Sequence, residues 1–254
     1  MNKLNRRQML NTTAGVLGAS LFSFPSFGRV SDRKQSEKLK IMVVGGHPDD
    51  PETGCGGTIC KLTAAGHEVI SVYLTRGEAG IEGVSHDDAA TIRTQEVAEA
   101  CKITQAQPYF FGQVDGSTII NSDEYKKMAL LIEEENPLIV LTHWPIDTHP
   151  DHRAAFNLVY NTWNSFRRDE KKAFDLYYFE VLTGDQTQHF SPTHYVDISN
   201  TFELKKEATM KHVSQKPIEW YNHHEKMGEF RGLESGLNIK HAEAFARQGV
   251  SGIF

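Results

Sequence analysis

Cysteine is scarce in this chain of 254 residues, with only Cys55, Cys60 and Cys101. An odd count without paired spacing excludes a disulfide framework and a cysteine-rich zinc module. Cys55 and Cys60 fall on one predicted helix, badly placed to pair, and all three read as small buried hydrophobes. A basic excess is also missing. Lys and Arg total 27 against 33 Asp and Glu, a formal net charge of −6 that carries no nucleic-acid signature. No apolar run is long enough for an ordinary transmembrane helix, and there is no internal repeat. Glycines 45, 46, 54, 56 and 57 never form Gly-x-Gly-x-x-Gly. Asp49, Asp50 and Glu52 beside them would repel a pyrophosphate, so a dinucleotide-binding protein is disfavoured. His224-Glu225 is no metalloprotease motif, because the fifth position is Gly228.

What is present is histidine and carboxylate at strand ends. Ile41-Met42-Val43-Val44 reads as a buried strand, and Thr53 to Ala65 as a helix. Between them lies Gly45-Gly46-His47-Pro48-Asp49-Asp50-Pro51-Glu52. A second apolar run, Leu138 to Leu141, leads into Thr142-His143-Trp144-Pro145-Ile146-Asp147-Thr148-His149-Pro150-Asp151-His152. In open α/β sheets ligands bind at the carboxyl edge of the strands. So much negative charge is costly to bury without compensation. A divalent cation held by His47, Asp50 and His152 supplies it and leaves a coordination position for water. Asp49 and His149 would remain nearby for proton transfer. Each has a plainer role: Asp50 as a helix N-cap, Asp49 as a solvated loop carboxylate, and His152 as a surface histidine at a helix start.

The run His47-Pro48-Asp49-Asp50 and the later His149-Pro150-Asp151-His152 resemble the two motifs of the LmbE/PIG-L superfamily of zinc-dependent de-N-acetylases. The resemblance extends to Leu74-Thr75-Arg76-Gly77-Glu78, His212-Val213-Ser214-Gln215 and His241 to Phe245, spanning roughly residues 38 to 248. Pro51 departs from the pattern by standing where an acid is usual, which leaves Glu52 without an assigned role. The resemblance implies hydrolysis of an N-acetyl amide on an amino sugar or its glycoside. The cofactor is Zn2+, or another divalent metal such as Fe2+. Asp49 is the general base, and His149 the protonated partner of the oxyanion or leaving amine. Asp151 would orient His149 or stabilise the next helix start. Arg76 lies in the substrate pocket, and Trp144 offers a flat face to a sugar or belongs to the core. A metal amidohydrolase of non-sugar amides and a non-catalytic sugar-binding relative are the alternatives.

Elsewhere, strands are expected at Val69–Leu74, Tyr109–Phe111, Leu176–Val181 and His194–Ile198. Helices are expected at Ala89–Cys101, Asp123–Glu135, 151–166, Thr201–Val213 and, last and short, Glu243–Arg247. The alternation argues for a single Rossmann-like α/β domain, residues 39–254, with a mostly parallel sheet flanked by helices. Residues 1–28 read as a twin-arginine export signal: Arg6-Arg7 precede a modestly apolar stretch, and Ser26 and Gly28 suit a cut after Gly28. Residues 29–38 are a polar lead-in. The expected setting is therefore periplasmic, without stable membrane insertion. A small N-acetylated sugar is the expected partner, and homo-oligomer formation stays open.

Overall fold

The two apolar runs become the centre of the sheet because both their faces are covered, which favours continuous hydrophobic strands over alternating ones. The computed structural model describes residues 38–169 and 172–249. Residues 1–37, with the expected export signal, lie outside them. Strands β1 (Lys40–Gly45), β2 (Glu68–Thr75), β3 (Gln107–Gln113), β4 (Ile139–His143), β5 (Asp175–Phe179), β6 (His194–Asp197) and β7 (Ala242–Arg247) form one sheet. Its order is β3-β2-β1-β4-β5-β7-β6. All pairings from β3 to β5 are parallel; β7 runs antiparallel to both β5 and β6. The expected Rossmann-like architecture is the one observed.

The chain order reverses direction between β1 and β4, which pair directly. That junction is the switch point at which such sheets open a crevice. Both sequence motifs leave these two strands. The helices are α1 (Asp50–Ala64), α2 (His86–Thr104), α3 (Ser122–Glu135), α4 (Pro150–Phe166), α5 (Phe202–Thr209) and α6 (Pro217–Glu234). No helix of the described residues is long and apolar enough to cross a membrane. The glycines of α1 serve close packing. A Cβ on Gly54 would lie 2.4 Å from the Phe179 ring, and one on Gly57 2.7 Å from Ile198.

Three elements differ from expectation. Ala242–Arg247 is a strand, not a short helix. Its alanines favour helix locally, but here they fit between β5 and β6, and tertiary pairing overrides propensity. The stretch expected as one helix over Thr201–Val213 stops at Thr209 and resumes as a 3-10 turn, Val213–Gln215. Helix α6 has no counterpart among the expected elements. It buries Gly228, Arg231 and Gly232 while exposing Ile218, Phe230 and Leu233, so no apolar stripe marks it.

Candidate active site

The loop after β1 turns tightly at Asp49, the residue preceding α1. Asp49 has φ 113° and ψ −28°, and its side chain makes no capping bond. This is a sparsely populated conformation for a non-glycine residue. Its effect is to release the Asp49 carboxylate from the helix end and present it to the cavity. Asp50, one residue on, turns inward and accepts a hydrogen bond from His47 N at 2.7 Å. The loop after β4 ends with His149, whose ring accepts at Nδ1 from Asp151 N, opening α4.

These loops bring His47, Asp50 and His152 together. His47 Nδ1 is 3.3 Å from His152 Nε2. Each of those nitrogens is 3.4 Å from an oxygen of Asp50. The outer nitrogens face carboxylates: His47 Nε2 is 3.1 Å from Asp151 Oδ2 and 3.3 Å from Asp115 Oδ1. His152 Nδ1 is 3.1 Å from Asp147 Oδ1. A carboxylate accepts, so each ring, in the neutral form a metal would bind, carries its proton outside and turns a lone pair inward. Two lone pairs and a carboxylate at this spacing call for a cation. Two ligands about 2.0–2.1 Å from a tetrahedral ion would stand about 3.3–3.4 Å apart. The donor set therefore fits a divalent metal. Among the described residues three triplets, His47–His149–His152, Asp50–His143–His152 and His47–Asp115–Asp151, have one ligand atom from each member within 4.8 Å of one another.

The electrostatics agree with a site built for positive charge. Burial alone would lower the His47 pKa, yet hydrogen bonds to Asp115, Asp151 and Asp50 raise it well above the ordinary value. Burial would raise the Asp50 pKa, but His152 and His143 hold it well below the usual carboxylate range. Asp49 differs. Burial raises its pKa, with Arg93 opposing from 3.2 Å. A carboxylate made more basic inside a cavity suits a proton acceptor. His149 is lowered by burial and by His47 and His152.

Several supporting residues were not singled out from the sequence. Arg93 of α2 is 3% exposed and donates to both Asp49 Oδ2 and the Pro48 carbonyl. It lies among Ala89, Ala90 and Val97 on the buried face of α2, and a lone arginine on an apolar stripe was the signal available. Asp147 accepts from His152 Nδ1, His149 N at 2.8 Å and Thr187 Oγ1 at 3.1 Å. His143 stacks on His152 with ring centres 4.0 Å apart and sits 3.2 Å from Asp50 Oδ2. Burial pushes its pKa down to about 4. Glu52 is fully buried, accepting from Tyr73 Oη at 2.7 Å and pairing with His212 Nε2 at 3.2 Å.

Asp151, Arg76 and Trp144 sit differently from expectation. The Asp151 carboxylate faces His47, held by Gly116 N at 2.8 Å and Thr118 Oγ1 at 2.7 Å; only its backbone reaches His149. Residues two apart at a helix start do not face each other. Arg76 is exposed and bonded to Glu78 Oε1 at 3.0 Å, outside the cavity lining. Glu78, two residues on, captures it. Trp144 donates to the Gln188 carbonyl and packs edge-on against Tyr178 and Phe190, likewise outside the lining. The cavity itself has a volume of about 560 Å³. It is lined by His47, Asp49, Asp50, His149 and His152, then by Arg93 and Asp115. Gln215, Trp220 and His224 close another side.

Comparison with known proteins places this geometry. The family model described as PIG-L: GlcNAc-PI de-N-acetylase matches residues 42–163. A diacetylchitobiose deacetylase of Thermococcus kodakarensis is 31% identical over 229 residues, 85% of this chain and 84% of that one. A probable N-acetyl-alpha-D-glucosaminyl L-malate deacetylase 2 of Bacillus cereus is 26% identical, across 69% of this chain and 83% of its own. Among solved structures, the N,N'-diacetylchitobiose deacetylase of Pyrococcus horikoshii superposes with a TM-score of 0.73. It is 25% identical and covers 84% of each chain.

Proposed function

Since the chain belongs to the PIG-L family of de-N-acetylases, we propose that it hydrolyses the N-acetyl amide of an amino sugar or its glycoside, releasing acetate and a free amine. One observation carries the reading. Two inward imidazole nitrogens meet 3.3 Å apart beside Asp50, with carboxylates on both outer nitrogens, and Asp49 stands next to them unspent as a helix cap. His47, Asp50 and His152 would hold the cation, for which zinc is the first choice given two nitrogens and a carboxylate. When bound, it supplies Lewis-acid polarisation of the acyl oxygen and a more acidic water.

The chain's own groups move the protons. Asp49 accepts the proton of the attacking water as the new C–O bond forms. Its raised pKa makes it a better base, while Arg93 holds one of its oxygens in place. His149 accepts at Nδ1 from Asp151 N, so its neutral form carries the proton on Nε2. The lowered pKa argues against a resting imidazolium. We therefore assign the neutral Nε2–H as the donor to the developing oxyanion. Asp49 then returns its proton to the departing nitrogen as the C–N bond breaks.

The test combines metal and product analysis. Purified protein should carry about one divalent ion per chain, lose activity on chelation and regain it with zinc. It should release acetate from N-acetylglucosamine and its glycosides in preference to N-acetyl amino acids and acyl peptides. Preference for peptides would overturn the sugar assignment, and no acetate from any of these by the metal-loaded protein would overturn the whole reading.

A further inference from the structure

The loop that follows β5 is stitched along the loop that follows β4. Thr148 N donates to the Gln186 carbonyl and Gln188 N to the Ile146 carbonyl, each at 2.9 Å. Between these bonds Asp147 and Thr187 face each other as an antiparallel bridge. The Leu182 carbonyl accepts from Gln186 N at 2.8 Å and Thr187 N at 3.1 Å, which closes the later loop into a compact turn. Leu182 and Gln186 line the cavity. Thr187 does not, and it is 1% exposed.

A threonine hydroxyl has one proton to give. Val181 N donates to Thr187 Oγ1 at 3.1 Å, which leaves the hydroxyl proton to point elsewhere. It goes to Asp147 Oδ2, also at 3.1 Å. The other oxygen of Asp147 accepts from His152 Nδ1 and His149 N. The last torsion of an aspartate is soft, and a buried acceptor without a partner is costly. An Asp147 with Oδ2 unpaired would therefore turn in search of a donor and carry Oδ1 away from His152. The Thr187 hydroxyl removes that freedom. The resulting run of bonds leads from the Val181 amide through Thr187 and Asp147 to His152, and only its last member is a proposed ligand.

We propose that Thr187 is a positioning residue for the metal. Through Asp147 it holds the His152 ring in the orientation and tautomer that turn Nε2 inward, and it makes the cavity-lining loop part of the metal's support. The assignment rests on the ligand set of the deacetylase reading and asks nothing of the substrate.

Zinc titration of the metal-stripped full chain against a chromogenic chelator tests it without any turnover. Thr187→Val keeps the bulk and loses the hydroxyl, and should weaken zinc binding about three- to tenfold, less than removal of the carboxylate itself. Thr187→Ser keeps the hydroxyl and should stay within about twofold of wild type. Because Thr187 acts through Asp147, the valine effect should vanish in an Asp147→Ala background. With cobalt in place of zinc, the visible absorption bands should shift in Thr187→Val and not in Thr187→Ser. Circular dichroism checks the fold, and Thr187→Ala replaces the valine variant if that one does not fold. Wild-type zinc affinity in a folded variant without the hydroxyl, or an equal loss with and without Asp147, would overturn the proposal. Weaker zinc binding by Thr187→Val, in a protein that releases no acetate from N-acetylated sugars, keeps the proposal and sinks the deacetylase. Acetate release with unchanged zinc affinity in the variant does the reverse.

Discussion

Replacing Asp147 by alanine should loosen the metal without touching a ligand. Its side chain is fully buried and accepts three hydrogen bonds, from His152 Nδ1, His149 N and Thr187 Oγ1. Burial would raise its pKa, but the hydrogen bond from His152 holds it below the usual carboxylate value, so it is ionised at neutral pH. The first of its bonds decides the tautomer of His152. With the acceptor gone, a proton on Nε2 becomes competitive, and that form has no lone pair to turn toward Asp50. Loss of such a partner typically costs 10- to 100-fold in metal affinity, roughly 1.4–2.8 kcal/mol. The His149 amide also loses its acceptor, which loosens the start of α4. Competition titration of zinc against a chromogenic chelator reads the dissociation constant directly. Asp147→Asn keeps an acceptor oxygen and should lose less. Excess zinc should restore much of kcat in both. Wild-type affinity in a folded Asp147→Ala protein would refute the tautomer argument, and with it the division of inner and outer nitrogens.

Asp49→Asn should keep its metal and lose about a hundred- to ten-thousand-fold in kcat; near-normal turnover by the metal-loaded variant would remove Asp49 as the base. Arg93→Leu should cost about ten- to a hundredfold in kcat/KM, the scale of one charge-assisted bond, whereas Arg76→Ala should cost little because that side chain lies outside the cavity; the opposite ranking in initial-rate assays would reverse the assignment. Burial lowers the His212 pKa, but the pair with Glu52 outweighs it and leaves the folded value above the ordinary 6.5. The stability this pair contributes is complete below pH 6.5 and is lost as pH rises through the folded value. The difference in Tm between wild type and His212→Asn should therefore narrow as pH rises, and a constant difference would reject the ion pair. Lys at both Arg6 and Arg7 should hold the protein in the cytoplasm, by fractionation and blotting, if the N-terminus is the export signal proposed for it; unaltered export would reject that proposal.

The sequence exposes what is local and repetitive. β1 and β4 are legible because buried parallel strands are written as unbroken apolar runs, and the metal candidates because histidine and aspartate crowd the residues that follow. Supporting partners are harder to see. Asp115 reaches His47, and Arg93 reaches Asp49, from segments far along the chain. Only the crossing of strands and helices brings them in, and no spacing encodes it. Helix α6 is illegible for a different reason. It packs through glycines and a buried Arg231–Glu180 pair rather than through a stripe of large apolar residues. Asp151 shows the limit of motif reading. Its proximity to His149 in sequence suggested the wrong ring, because the first turn of α4 carries its carboxylate toward His47.

The junction of β1 and β4 also sets an order of events in time. His47 and His152 are 105 residues apart in the chain. At ordinary synthesis rates the first ligand leaves the ribosome roughly 5–20 s before the last. Through that interval only two of the three proposed ligands, His47 and Asp50, have been made, so the proposed site cannot be complete before β4. Under the proposed metal assignment, capture of the ion would report completion of the central strand pairing. Once captured, the proposed ion would act as a clasp across the chain between the two motifs, adding its binding free energy to the folded state.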